Sequence, residues 1–403
     1  MVSTRRARAG GSVVIAGSLA QKAFWGGHTW ALLQYAMGFR RLGWKVTFLD
    51  WLDSSMSERG MESLASANHS SNVEYALKVM RFFGMDDDFA LLVTTANGER
   101  SSIGLSRVEL LSRLRGADVL LNVMGYLADQ DLLSAAPLCV FLDIDPGFGQ
   151  MWRDLQLADI FSGHDVFVTV GQNMGRAGCE IPTCGLEWLT TVPPVVLDLW
   201  PACTGGRDVF TTVGAWRGPN GPVQYRGRTY GLRVHEFRSL ADLPRKTGRS
   251  FEAALDIDPA DDRDRDSLRS GGWSLVDPRA VAGGPDSYRR YIQSSMAELM
   301  VAKNMYVQSR GGWFSDRSVC YLASGRPVVA QDTGWTPNLP DGEGLLSFRT
   351  SEEAAAAVHE VHGNYRIHAK AARDLAETMF DSDRVLERLA AAVSAETLQG
   401  SAK

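Results

Sequence analysis

Gly311-Gly312-Trp313-Phe314-Ser315-Asp316-Arg317-Ser318 runs into Val319-Cys320-Tyr321-Leu322-Ala323-Ser324-Gly325-Arg326-Pro327-Val328-Val329-Ala330, and then into Gln331-Asp332-Thr333-Gly334-Trp335. The order is glycine turn, helix start, short helix, glycine stop, strand and polar loop. The two glycines allow close approach of the backbone to a ligand, and Ser315 or Asp316 can cap a helix whose first N–H groups point outward. Such an end suits a phosphate. Gly325 before Arg326-Pro327 stops the helix, and Val328-Val329-Ala330 predicts a strand buried on both faces. Asp332 to Trp335 then fall at the carboxyl end of that strand, where open α/β sheets bind ligands.

Working outward, the totals set bounds. A chain of 403 residues can form two domains, each with its own core. Hydrophobic content of 45% and charged content of 22% are those of a globular protein. Lys plus Arg at 42 against Asp plus Glu at 47 gives a net charge of -5, without a global basic signal for nucleic acid. No stretch approaches the ~20 apolar residues of a membrane span, and the apolar run Ser12 to Ala16 is short for a signal peptide. The expectations are therefore a cytoplasmic protein with no nucleic-acid or membrane partner. The five cysteines, Cys139, Cys179, Cys184, Cys203 and Cys320, form no metal-type pair set and read as reduced thiols.

Residues 1 to 10, with Arg5, Arg6 and Arg8, read as a disordered basic start. Ser12-Val13-Val14-Ile15-Ala16 predicts a parallel strand. A loop to Trp25 and Gly26-Gly27-His28-Thr29-Trp30 follows, then a helix to Gly43 and a strand Lys45 to Leu49: a βαβ unit. Its glycines do not spell G-x-G-x-x-G, so no dinucleotide is expected there. Helices are predicted over Asn68 to Phe83 and Ser106 to Arg115, the latter with Ser106 and Glu109 as a capping box. Strands are expected at Ala117 to Val123, Cys139 to Asp143 and Asp165 to Val170. Leu199-Trp200-Pro201 through Gly205-Gly206-Arg207 reads as a linker. A second sheet opens with Val209 to Ala215; the Gly218 to Gly231 stretch reads as a loop and Asp256 to Asp266 as a solvated insertion.

The opening stretch resembles the donor-binding half of GT-B glycosyltransferases. The run Ala302-Lys303-Asn304-Met305-Tyr306 through Trp313-Phe314-Ser315-Asp316-Arg317-Ser318 to Asp332-Thr333-Gly334 is similar to a bacterial group of that fold associated with natural-product pathways. The resemblance implies two Rossmann-like doubly wound domains facing a cleft, with a C-terminal helix crossing back to the first. Residues 1–203, joined by a helix at about 382–403, would form the acceptor domain, and 204–381 the donor domain. It also implies transfer of a sugar from a UDP- or TDP-sugar to a small-molecule acceptor, with no required metal or other cofactor.

On that resemblance the donor contacts are Gly311, Gly312, Ser315, Asp316 and Arg317 at the diphosphate, and Arg217 at the carboxyl end of the strand beginning the second half. Val276 belongs at the base, Asp332, Thr333 and Gly334 at the sugar, and Glu343 at the ribose. Gln331-Asp332 reverses the polar order usual in related sugar loops. His28 is the implied base, because neutral imidazole titrates near working pH. Asp143 or Asp145 would orient it or meet the acceptor, beside Trp25, Gly27, Trp30 and Tyr126 as acceptor contacts. Asp143-Ile144-Asp145 also has the D-x-D spelling of a GT-A metal site, which the two-domain pattern disfavours. Two alternatives remain at this stage: a GT-B-shaped partner protein without chemistry, and a nucleotide-sugar epimerase of the same fold, which needs further acid/base residues from only seven histidines.

Overall fold

The computed structural model describes residues 10–57, 60–218 and 220–400, so the basic N-terminal start lies outside the described residues. An unbroken apolar run, Val13 to Ala16, lies at the centre of the first sheet, while the central strands of the second carry buried Thr211, Thr212 and Glu298. Val13 to Ala16 are buried, as expected for a strand covered on both faces. The first sheet comprises β1 (Ser12–Ala16), β2 (Lys45–Asp53), β3 (Phe89–Thr94), β4 (Arg100–Gly104), β5 (Val119–Val123), β6 (Cys139–Asp143), β7 (Val166–Thr169) and β8 (Trp188–Thr190), in the order β4-β3-β2-β1-β5-β6-β7-β8. Only the β3–β4 pair is antiparallel. The second half contributes β9 (Phe210–Ala215), the hairpin β10 (Val223–Tyr225) and β11 (Arg228–Tyr230), then β12 (Phe251–Asp256), β13 (Trp273–Leu275), β14 (Ala297–Met300), β15 (Val328–Gln331) and β16 (Leu345–Phe348). Its parallel sheet runs β13-β12-β9-β14-β15-β16. Strand order reverses between β1 and β5 and between β9 and β14, which creates a ligand crevice at the carboxyl ends of both sheets.

The chain then returns to the first half. Val195 N–H donates to Phe380 at 2.7 Å and Ser382 N–H to Val195 at 2.9 Å, launching the helix Ser382–Gly400. That helix lies on the helix Gly26–Arg41, where a Cβ at Gly38 would stand 2.5 Å from Leu386. Glycine at that position is what permits the contact.

Several local expectations change. The helix predicted over Asn68 to Phe83 is two, Leu64–Asn68 and Ser71–Phe82, because Ser63 and Ser70 each occupy an N-cap position. The first helix starts at Gly26, so Gly27, His28 and Trp30 lie within it. The Gly218 to Gly231 stretch contains the hairpin, the acidic insertion contains the helix Asp262–Gly271, and β4 is an edge strand that the apolar pattern did not announce. The Ser106–Glu109 capping box forms as read, with Ser106 N–H donating to Glu109 at 2.9 Å. All five cysteines are free, and among the described residues no helix is long and apolar enough to cross a membrane.

Candidate active site

One cavity of about 260 Å³ lies between the two halves, lined by loops leaving β1, β5 and β6 on one side and β9, β12 and β14 on the other. Two residues of its first wall, Phe24 (φ 65°) and Met124 (φ 55°), hold left-handed backbone conformations uncommon outside glycine. Conformations of that kind cost of order 1–3 kcal/mol and persist where surrounding structure enforces them. Trp25, Gly27, His28 and Tyr126 line the same wall, together with Lys22 and Ile144. Trp30 does not: its indole N–H donates to Pro285 O at 2.7 Å and its ring packs on Trp200 at 4.9 Å, so it fills the seam between the halves.

His28 stands in the first turn of its helix, with Nε2 2.9 Å from Ser18 Oγ. Burial, and then the charge of Lys22, holds its pKa well below the ordinary value, so the ring is neutral and able to accept a proton. Neither aspartate orients it. Asp143 is buried under the loop, accepting from Gln150 Nε2 at 2.7 Å, Thr169 Oγ1 at 2.9 Å and Asp145 N–H at 3.1 Å. Burial pushes its pKa up to about 7 despite these bonds. Asp145 faces the cavity and is held by the opposite half: Lys303 Nζ donates at 2.6 Å and the Tyr306 hydroxyl also donates to it. Burial works to raise its pKa, but the Lys303 charge and these bonds outweigh it and leave Asp145 low. The D-x-D oxygens thus face separate protein donors. Among the described residues no cluster of His, Cys, Asp and Glu could hold a metal ion.

The second wall is cationic at the carboxyl end of β9. Arg317 Nη1 donates to Val213 O at 2.9 Å and its Nε donates to Glu298, while Arg233 Nη1 donates to Ala215 O at 3.3 Å. Gly214 makes room for this arrangement, because a Cβ there would lie 2.2 Å from Arg233 Nη1. Both guanidinium groups are buried and both line the cavity. Arg233 Nε and Arg317 Nη2 have no hydrogen-bond partner. Burial and the neighbouring Arg317 charge lower the Arg233 pKa to about 10. Glu298 is the single carboxylate bonded to this pair of cations, which leaves an excess of positive charge aimed at a ligand. Asp316, in the first turn of the helix Asp316–Ala323, also faces the cavity, with its pKa raised by burial.

The rest of the opening stretch does different work. Ser315 caps the helix, its Oγ accepting from Arg317 N–H at 3.2 Å. Gly311 and Gly312 pack against the first half: a Cβ at Gly311 would be 2.6 Å from Ile181, and one at Gly312 3.0 Å from Asn173. Asn173 Nδ2 donates to Gly334 O at 2.8 Å and Arg310 O at 3.0 Å. Thr333 Oγ1 donates to Trp313 O. Asp332 is buried in ion pairs with Arg349 at 2.8 Å and Arg310 at 3.5 Å. Ser315, Gly311, Gly312, Asp332, Thr333 and Gly334 do not line the cavity, whereas Trp313, Asp316 and Arg317 of the same stretch do. The glycines admit another part of the protein, where the sequence reading expected a ligand.

Three further expected contacts lie elsewhere. Arg217 does leave the carboxyl end of β9, but Asp261 takes its Nη2 and Nε at 2.6 and 2.7 Å, outside the cavity. Glu343 is exposed in the turn before β16, and since β16 runs parallel to β15 this is the amino end of the sheet, opposite the crevice. Val276 is half-buried after β13, its N–H donating to Ala253 O at 3.1 Å, while Pro278 and Arg279 just beyond it reach the cavity. The sequence alone assigns no role to Lys22, Lys303 or Tyr306; it offers Phe24, with Trp25 and Trp30, equally as an aromatic acceptor contact or as core, places the Met124-Gly125-Tyr126 loop at the cleft, and does not choose among Arg226, Arg228 and Arg233 as further phosphate contacts. Lys303 and Tyr306 belong to the run that carried the resemblance, which was the one available signal.

Two facing Rossmann-like sheets, a cleft at their carboxyl ends and a returning C-terminal helix define the GT-B fold. Solved structures share it. The chain is similar to an α-glucosyltransferase solved with UDP-glucose and DNA containing an abasic site, at 13% identity and TM-score 0.59 over 96% of this chain and 99% of that one. It is also similar to Anabaena HepE solved with UDP and glucose (12% identity, TM-score 0.56, 95% and 99% covered). A third likeness is to AviGT4, a glycosyltransferase involved in avilamycin A biosynthesis (12%, 0.55, 95% and 97%). No family model matches the chain, and no curated protein does. The expectation of no nucleic-acid partner is corrected here, since a protein of this fold is solved with DNA. A net charge averages over the whole surface and does not report the local field that a nucleic acid meets.

Proposed function

We propose that the protein is a glycosyltransferase that moves a sugar from a UDP- or TDP-sugar to an acceptor hydroxyl or amine. The observation that carries this reading is the buried Arg233–Arg317 pair with one bonded carboxylate, across a single cavity from neutral His28. A diphosphate supplies the missing negative charge and partners for the two idle N–H groups. The acceptor enters beside Phe24, Trp25 and Met124, an apolar and aromatic wall suited to the ring of a small natural product, and His28 takes its proton. In this reading the half up to residue 203, with the returning helix, receives the acceptor, and 204–381 hold the donor. No metal is assigned a role, and the leaving diphosphate is neutralised by side chains of the chain itself. The DNA complexes of similar structures, one of them with a 13-mer containing an HMU base, support a second acceptor, DNA.

The test is a thermal-shift panel of UDP, TDP, GDP and ADP with and without EDTA, followed by turnover on small phenolic acceptors and on a DNA duplex. A nucleotide at a hundred times its dissociation constant stabilises the fold by about 2.7 kcal/mol. A shift with UDP or TDP that survives EDTA supports the donor assignment. Absence of any shift favours a non-catalytic partner protein, and transfer to DNA alone replaces the small-molecule acceptor.

A further inference from the structure

Asp145 belongs to the first half of the molecule, yet among the described residues the side chains bonded to its carboxylate, Lys303 and Tyr306, belong to the second. Lys303 Nζ donates at 2.6 Å, the Tyr306 hydroxyl donates to the other carboxylate oxygen, and Tyr306 stacks on Trp313 at 4.1 Å. Trp313 in turn donates from Nε1 to Ile144 O at 3.3 Å, beside Asp145. Lys303, Tyr306 and Asp145 line the same cavity as Arg233 and Arg317. The cations differ in freedom. Both arginines are tied to backbone carbonyls of β9, while Lys303 carries its charge on a flexible stem whose one hydrogen-bonded anchor is Asp145. On the donor side of the cavity, an entering anion meets in Lys303 a cation that can turn towards it.

We propose that Asp145 and the donor diphosphate compete for Lys303, so that Lys303 is a diphosphate ligand held in reserve and donor binding releases Asp145 towards the acceptor. This rests on the donor reading above. It makes the order of events a property of the site: the carboxylate beside the acceptor is masked by an ion pair until the diphosphate draws the ammonium away. Asp145 then faces Lys22, on the acceptor wall with His28, and the Tyr306 hydroxyl keeps the loop in place.

The experiment is calorimetric titration of UDP into wild type, Asp145→Asn, Lys303→Met and the double variant. Asp145→Asn binds UDP about three- to tenfold more tightly than wild type, an outcome that loss of a merely structural contact does not produce. Lys303→Met weakens binding modestly in the wild-type background and about tenfold or more in the Asp145→Asn background, where the lysine is wholly available. Equal effects of Lys303→Met in both backgrounds mean simple charge repulsion and overturn the competition, as does an Asp145→Asn variant that binds no better. Tyr306→Phe keeps the ring stack and removes the donor that remains on Asp145 once Lys303 leaves, so under the competition it weakens UDP binding, opposite in direction to Asp145→Asn, and serves if that variant fails to fold; a Tyr306→Phe variant that binds UDP as well as wild type or better then overturns the competition. Wild type that binds none of UDP, TDP, GDP and ADP overturns the donor reading itself; wild type that binds UDP with an unimproved Asp145→Asn overturns only the competition.

Discussion

Replacing Arg233 by Met separates folding from binding in opposite directions. The guanidinium is buried beside a second one, lacks a partner for Nε, and makes a long 3.3 Å bond to Ala215 O. A guanidinium pKa held down at about 10 is equivalent to a penalty of about 3 kcal/mol on the charged form. Met retains the apolar stem and removes the charge, at the expense of one hydrogen bond worth about 1 kcal/mol. The expected net is a gain of about 1–2 kcal/mol, which raises the melting temperature by about 1 °C per kcal/mol for a chain of 403 residues. The same change deletes a charge-assisted contact to the diphosphate worth about 1.5–3 kcal/mol, so UDP affinity falls by roughly 10- to 150-fold. Differential scanning calorimetry with and without UDP reads both. A variant that melts lower than wild type while binding UDP normally refutes the argument, because Arg233 is then a packing residue whose charge the protein tolerates without strain.

Removing the proposed base in His28→Ala should reduce turnover by about 10²- to 10⁴-fold and leave UDP affinity within about twofold of wild type, since general-base loss acts on chemistry rather than donor binding; steady-state rates beside titration check it. Asp143 carries a raised folded pKa of about 7, so it contributes stability at low pH that is lost as pH rises from its unfolded value near 4 through the folded one. Asp143→Asn should therefore flatten the stability profile over that window by about 1.4 kcal/mol per pH unit, with Asp50, also pushed up to about 7 by burial, retaining a slope of the same sign. Denaturant melts at a series of pH values test this, and a slope that steepens in the variant contradicts the burial argument. Glu343→Ala and Arg217→Ala should each leave UDP affinity unchanged; Glu343→Ala should shift stability by no more than about 0.5 kcal/mol, as both side chains lie outside the cavity.

The layered α/β architecture was legible because buried parallel strands announce themselves as apolar runs, and β1 and β15 do so plainly. β4 was not, since an edge strand of Arg100-Ser101-Ser102-Ile103-Gly104 has almost no apolar face to betray it. Within the site, the loops at the ends of β1, β5 and β6 could be placed from strand direction alone, which is why His28, Asp145 and Tyr126 reach the cavity. Glu343 shows the limit of reading by residue type: its chemistry suits ribose, but it precedes its strand, and only the sheet reveals that the crevice is at the other end. By sequence position Arg217, at the carboxyl end of β9, was the preferred phosphate contact and Arg233 only one of several further arginines. What separates them is that Asp261 folds back onto Arg217, a contact spanning 44 residues that no local pattern encodes.

Asn173 bears on how such a protein could be recombined. Its side chain donates to Arg310 O and Gly334 O and accepts from Asn338 Nδ2 at 2.9 Å, while its own N–H meets Gly311 O at 2.9 Å. A crossover in the linker between Leu199 and Arg207 leaves Asn173 in one parent and all four of these partners in the other. Chimeras that exchange donor halves at that point should therefore mate poorly unless the asparagine loop travels with the glycines it seats, and the natural unit of exchange is the second half together with the loop that follows β7.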